Sequence, residues 1–148
     1  MAETQPHADH LSCEFLTQLR RVLPDTAFRT ALTDGLVVTI PFRCEEVGDI
    51  TVWLEGGEVT VEIGQLNHTH FRVYTQSAPT PDECERVAAE MAVDYIRDVI
   101  EERVRFRVQF AAGRCLASSS WYPEHSDGGL PLPRAEEVRE YVWSRRIE

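Results

Sequence analysis

An α+β domain built on an antiparallel sheet of about six to seven strands, with helices packed mainly on one face, is the fold class this sequence predicts. Three stretches carry that prediction. Residues 49–74 alternate apolar and polar side chains around a Gly56-Gly57 turn, and residues 103–110 alternate the same way. Between them, Thr80-Pro81-Asp82-Glu83 opens a long amphipathic helix. The order read along the chain is α-ββ-ββ-β-α-ββ-α, and its 148 residues suffice for one domain with its own core.

The first eight residues are polar and read as a disordered tail. Asp9 is an N-cap candidate for a helix in which Leu11, Phe15, Leu16, Leu19, Val22 and Leu23 recur at helical spacing until Pro24 stops it. Thr26–Thr33 and Leu36–Phe42 flank Asp34-Gly35, a hairpin signal. A two-residue loop there would set Arg29 opposite Ile40, a poor match, so the sequence leaves this register open. Residues 43–48 form a short polar link.

The next hairpin fixes its own register. Two glycines between strands suit a primed turn, which needs positive φ angles. Glu55 then pairs with Glu58, Leu54 with Val59, Val52 with Val61 and Ile50 with Ile63. Trp53/Thr60 and Thr51/Glu62 share the opposite face. A slip of one residue would set apolar groups against polar ones. The following strand continues the alternation, with Thr69, Phe71 and Val73 inward and His68, His70, Arg72 and Tyr74 outward.

After a break at Gln76–Pro79, Thr80 caps a helix with proline at its first position and glutamate at its third. It is predicted to run to about Glu102, with Cys84, Val87, Ala88, Met91, Ala92, Tyr95 and Val99 as its apolar stripe. Val104, Phe106, Val108 and Phe110 then point inward and Arg103, Arg105, Arg107 and Gln109 outward. Ala112-Gly113-Arg114 turns the chain into a strand through Cys115–Ala117 that can reach Trp121. Residues 122–133 read as a long loop, and Arg134–Arg145, with Val138, Tyr141 and Val142 on one side, as a final helix.

The formal net charge of −10 disfavours general nucleic-acid binding, which relies on cationic side chains to neutralise phosphates. All basic residues except histidine are arginine. This implies a GC-rich coding sequence and hence a bacterial source. Cys13, Cys44, Cys84 and Cys115 have no zinc-ligand spacing and read as reduced thiols. The polar amino terminus and the lack of a long apolar run point to a cytosolic protein without a membrane span.

His68 and His70, two apart on one strand, point the same way and are the sequence's candidate metal ligands. Glu62 on the adjoining strand could add a donor, but no spacing supplies a full set. The pair also lacks the third histidine of an H-x-H-x-H signature. No phosphate loop or nucleophile elbow is present, and a Cys115/His68/Asp98 triad would need free choice of its members. The expectation is therefore no catalytic residue and no cofactor. What remains is the outward face of the sheet. Trp53, Glu62, His68, His70, Arg72, Tyr74, Arg105 and Arg107 would line one aromatic and charged surface if their strands are neighbours. Trp, Tyr and Arg are the types enriched at binding hot spots. Either that face docks a protein, or the final helix or the 122–133 loop covers it.

The run Gly64-Gln65-Leu66-Asn67-His68-Thr69-His70-Phe71 and the late Tyr141-Val142-Trp143-Ser144 resemble segments of small bacterial proteins, among them immunity proteins of polymorphic or contact-dependent toxin systems. That resemblance implies binding to a toxin domain rather than catalysis, and an acidic chain suits capture of a basic toxin. The element order also resembles class I chaperones of type III secretion, which dimerise around an effector segment. Two extra strands and the lack of a clearly apolar final helix depart from that pattern. The leading expectation is a non-enzymatic immunity-type inhibitor. A secretion-type chaperone and a metal-dependent enzyme using His68 and His70 are the alternatives.

Overall fold

A computed structural model describes residues 9–73 and 80–147. The expected amino-terminal tail, the outward Tyr74 and the break at Gln76–Pro79 lie outside the described residues. The fold is α+β, with two helices and two antiparallel sheets among the described residues.

Helix α1 (His10–Val22) starts where Asp9 accepts a hydrogen bond from the Ser12 amide at 2.8 Å. Strands β1 (Arg29–Leu32), β2 (Leu36–Ile40), β3 (Ile50–Glu55), β4 (Glu58–Ile63) and β5 (Asn67–Phe71) form a meander in chain order. Every pair predicted for the β3–β4 hairpin is present, from Ile50–Ile63 to Glu55–Glu58. Gly56 and Gly57 have φ 61° and 77°, the two positive angles of a type I′ turn. At the other end of this hairpin the chain passes very close to itself: a Cβ on Gly64 would lie 1.6 Å from the Val47 carbonyl oxygen. The β1–β2 register pairs Arg29 with Thr39 and Leu32 with Leu36. A three-residue loop, Thr33–Gly35, thus replaces the two-residue one and removes the clash of Arg29 with Ile40.

Helix α2 (Pro81–Ile100) begins at Thr80, whose hydroxyl accepts from the Glu83 amide. Its buried stripe is Cys84, Ala88, Ala89, Ala92, Val93, Ile96 and Val99. The expected stripe is thus turned: Met91 is 46% exposed, while Val93 and Ile96 enter the core. Small residues at 88, 89 and 92 face inward and permit close packing with α1. The helix stops at Ile100, two residues earlier than expected. The amides of Glu102 and Arg103 bond to the Val99 and Asp98 carbonyls, a Schellman closure that holds Glu102 at φ 63°.

Strands β6 (Arg105–Ala111) and β7 (Arg114–Trp121) form the predicted second hairpin, with a bulge between Gln109 and Phe110. The predicted final helix is not formed. Residues of that segment make β8 (Glu137–Val142), which pairs with β6, and β9 (Arg145–Arg146), which pairs with β8. A helix there would leave one edge of β6 without a backbone partner. A strand satisfies that edge and sets Glu140 opposite Arg107. The second sheet therefore runs β7-β6-β8-β9, and the single sheet expected from the sequence is two sheets of five and four strands. Their meeting line is closed by side chains: Asn67 Nδ2 donates to Ser120 Oγ at 2.6 Å.

One hydrophobic core spans both sheets and both helices. Val38, Val52, Val61 and Ile63 from the first sheet join Phe15, Ile96, Phe106 and Trp143 in it. The inward face of the five-stranded sheet is thereby buried along β2, β3 and β4, while β1 stays exposed at the edge.

Candidate functional site

The antiparallel pairing arranges that outward face in two rows across five strands. One row is Ala31, Val37, Trp53, Thr60 and His70. The other is Arg29, Thr39, Thr51, Glu62 and His68. With strands about 4.8 Å apart, each row spans about 19 Å. The rows differ in character. The first is apolar and aromatic through Trp53, and the second is polar throughout.

Trp53 is 46% exposed, a large aromatic surface left in water. Its ring is positioned: Nε1 donates to Glu62 Oε2 at 3.3 Å across the strand pair. On the next strand, Glu58 pairs with His70 and lies 3.9 Å from Arg72. Thr60 Oγ1 and His70 Nδ1 are 3.0 Å apart, and the His68 and His70 rings meet edge to face at 5.3 Å. The Trp53–Glu62 pair thus lies on the same face as a second cluster, that around His70. Glu58 and Thr60 belong to it although the sequence reading did not single them out. The hairpin parity contains that signal, because both share the face of Glu62.

The second sheet is built differently. Arg107 is only 6% exposed and does not reach the surface with Trp53. It pairs with Glu140 at 3.4 Å, donates from Nη1 to the Gly128 and Gly129 carbonyls at 3.1 and 3.0 Å, and stacks on Trp121 with its Cζ 4.9 Å from the ring centroid. Gln109, also buried, accepts from the Leu132 amide at 2.6 Å. Both side chains point outward from β6, as alternation requires, but the 122–136 segment lies over them. Arg105 sits on the same sheet opposite Trp121 and is half-buried. Of the eight candidate residues, Trp53, Glu62, His68, His70 and Arg72 therefore share one face. Arg105 and Arg107 belong to the other sheet, and Tyr74 lies outside the described residues. The 122–133 loop thus covers the outward face of the second sheet, as one of the two readings expected, and does not cover that of the first.

A recess of about 230 Å³ lies at the His68 end of the open face, lined by Glu62, Gly64, Leu66, Asn67, His68 and Ser118. It falls below the roughly 300 Å³ at which small-molecule sites begin, so it suits a side chain rather than a whole cofactor. No third donor joins His68 and His70 among the described residues. The group there with metal-like spacing is instead His10, Asp82 and Glu85, at the amino-terminal ends of the two helices. His10 Nδ1 lies 2.8 Å from Glu85 Oε2 and 3.8 Å from Asp82, with Glu14 3.8 Å from Nε2. The hydrogen bond to Glu85, aided by the surrounding negative charge and opposed by slight desolvation, raises the pKa of His10. Asp82, in the first turn of α2, already complements that helix's dipole, so ion pairing with His10 accounts for this group. Elsewhere, burial and the bond donated to Asp98 push the Tyr122 hydroxyl up to about 12.

Among the described residues, no helix is long and apolar enough to cross a membrane. No known family, no curated protein and no solved structure matches this chain.

Proposed function

We propose that this chain is a protein-binding domain that docks its partner on the outward face of the five-stranded sheet. The observation carrying this reading is Trp53: a half-exposed tryptophan, oriented by Glu62, at the centre of an uncovered sheet face. Tryptophan and arginine dominate binding hot spots, and a ring already fixed in place loses little entropy on binding. The Glu58–His70–Arg72 group supplies a charged rim beside it.

In its most concrete form this is a bacterial immunity-type inhibitor that neutralises a cognate toxin in the cytoplasm. The net charge of −10 supports a basic partner, since opposite charge speeds encounter. The test is calorimetry with the purified product of a toxin-like reading frame adjacent to this gene, together with protection on co-expression. Trp53→Ala and Arg72→Ala are expected to weaken binding by about tenfold or more each and to lower protection. Folded variants that retain full affinity would rule the docking face out.

A further inference from the structure

The 122–136 segment carries Leu130, which is 94% exposed, far more than any other large apolar side chain among the described residues. The chain on either side of it is tied down. On one side, Arg107 holds the Gly128 and Gly129 carbonyls. Gly128 is pressed so closely onto Trp121 that an added Cβ would fall 2.6 Å from the ring. On the other side, Gln109 holds the Leu132 amide at 2.6 Å. Two buried side chains of β6, two residues apart, thus bracket Leu130.

Between and just beyond these anchors the sequence is Leu130-Pro131-Leu132-Pro133. Proline fixes its own φ near −65°, and each residue before a proline is driven into the extended or polyproline-II region. Both leucines precede prolines, so Leu130–Leu132 is restricted to an extended, polyproline-II-like course, which ends at a turn where the Ala135 amide donates to the Leu132 carbonyl at 3.0 Å. A leucine held in water by this framework gains nothing within its own chain. Its course and its exposed side chain match the ligands of aromatic-lined grooves, which take preformed polyproline-II segments because little ordering entropy remains to be lost.

We propose that Leu130–Leu132 is a recognition peptide, displayed in polyproline-II form for a partner protein whose groove is lined with aromatic side chains. Leu130 fills an apolar pocket there and Pro131 lies on an aromatic ring. This element sits on the other sheet from Trp53 and does not depend on the docking face proposed above.

Isolated SH3, WW and EVH1 domains, all with aromatic-lined grooves, serve as probes in titrations of the full ¹⁵N-labelled chain. At least one is expected to bind weakly, shifting resonances of residues 128–134 and the Trp121 indole while leaving Trp53 unchanged. Leu130→Ala and Pro131→Ala should each weaken that binding by about tenfold. Gln109→Leu, which frees one anchor, should weaken it a few-fold while leaving the contact residues in place. No shift at 128–134 with any probe overturns the proposal, as does affinity unchanged by Leu130→Ala. Partition of the chain onto phosphatidylcholine vesicles through Leu130 would assign the leucine to lipid instead and equally overturn it.

Discussion

Replacing Arg107 with methionine removes the charge that binds the second sheet to the loop over it. The Arg107 and Glu140 side chains are 7% and 12% exposed, so this is a buried ion pair, unlike the exposed ones elsewhere in the fold. Breaking such a pair from one side costs about 3–5 kcal/mol, because the remaining carboxylate is left buried and unpaired. The bonds to Gly128 and Gly129 add less, since Gly129 is exposed and water can replace the guanidinium there. The expected loss is thus dominated by Glu140, against a total stability of roughly 5–15 kcal/mol. With a urea slope of roughly 2 kcal/mol/M, the midpoint for Arg107→Met falls by about 2 M. Arg107→Met combined with Glu140→Met should recover more than half of that loss, because two apolar groups replace the pair without an orphaned charge. A loss below about 1 kcal/mol in the single variant would mean that water reaches the pair, and the covered-sheet description would fail.

Two further outcomes follow from local geometry. Ala112 adopts φ 51° in the tight turn before Gly113, a left-handed conformation costly for a residue with a Cβ, and asparagine tolerates it far better. Ala112→Asn should therefore raise stability by about 0.5–1 kcal/mol in urea titration, and no gain would argue against the turn. His10 has a raised folded-state pKa, so its contribution is complete below its unfolded value and is lost as pH rises through the folded one. His10→Gln should destabilise the fold near pH 5.5 by at most about 1 kcal/mol and by less near pH 8.5, since the pair is exposed. A difference that grows with pH would contradict the clasp with Glu85.

The parts of this fold that could be read from the sequence are those fixed by neighbours in the chain. Six apolar residues around Gly56-Gly57 allow one register, and Thr80-Pro81 marks a helix start by its own chemistry. Other features depend on distant partners. Residues 134–145 satisfy helical and strand patterns alike, and the open edge of β6, more than twenty residues earlier, decides for a strand. The end of α2 was hidden because Glu102, not a glycine, takes the left-handed position. Arg107 was read as outward, which is correct for its strand. Nothing in its alternation says that a loop descends on it, although the Gly128-Gly129 pair marks the place where a chain can approach a ring closely. The outward face of the first sheet needed only parity and strand order, so Trp53, Glu62, His68, His70 and Arg72 were legible together.

The central claim is that the partner sits on that face. A photo-cross-linking residue placed at Thr60, between Trp53 and His70, samples it directly, while one at the exposed Asp94 of α2 samples the far side of the core. With the proposed partner present, strong cross-linking at Thr60 and none at Asp94 is the predicted result. Cross-linking at Asp94 with none at Thr60 would place the partner on the helices and contradict the account.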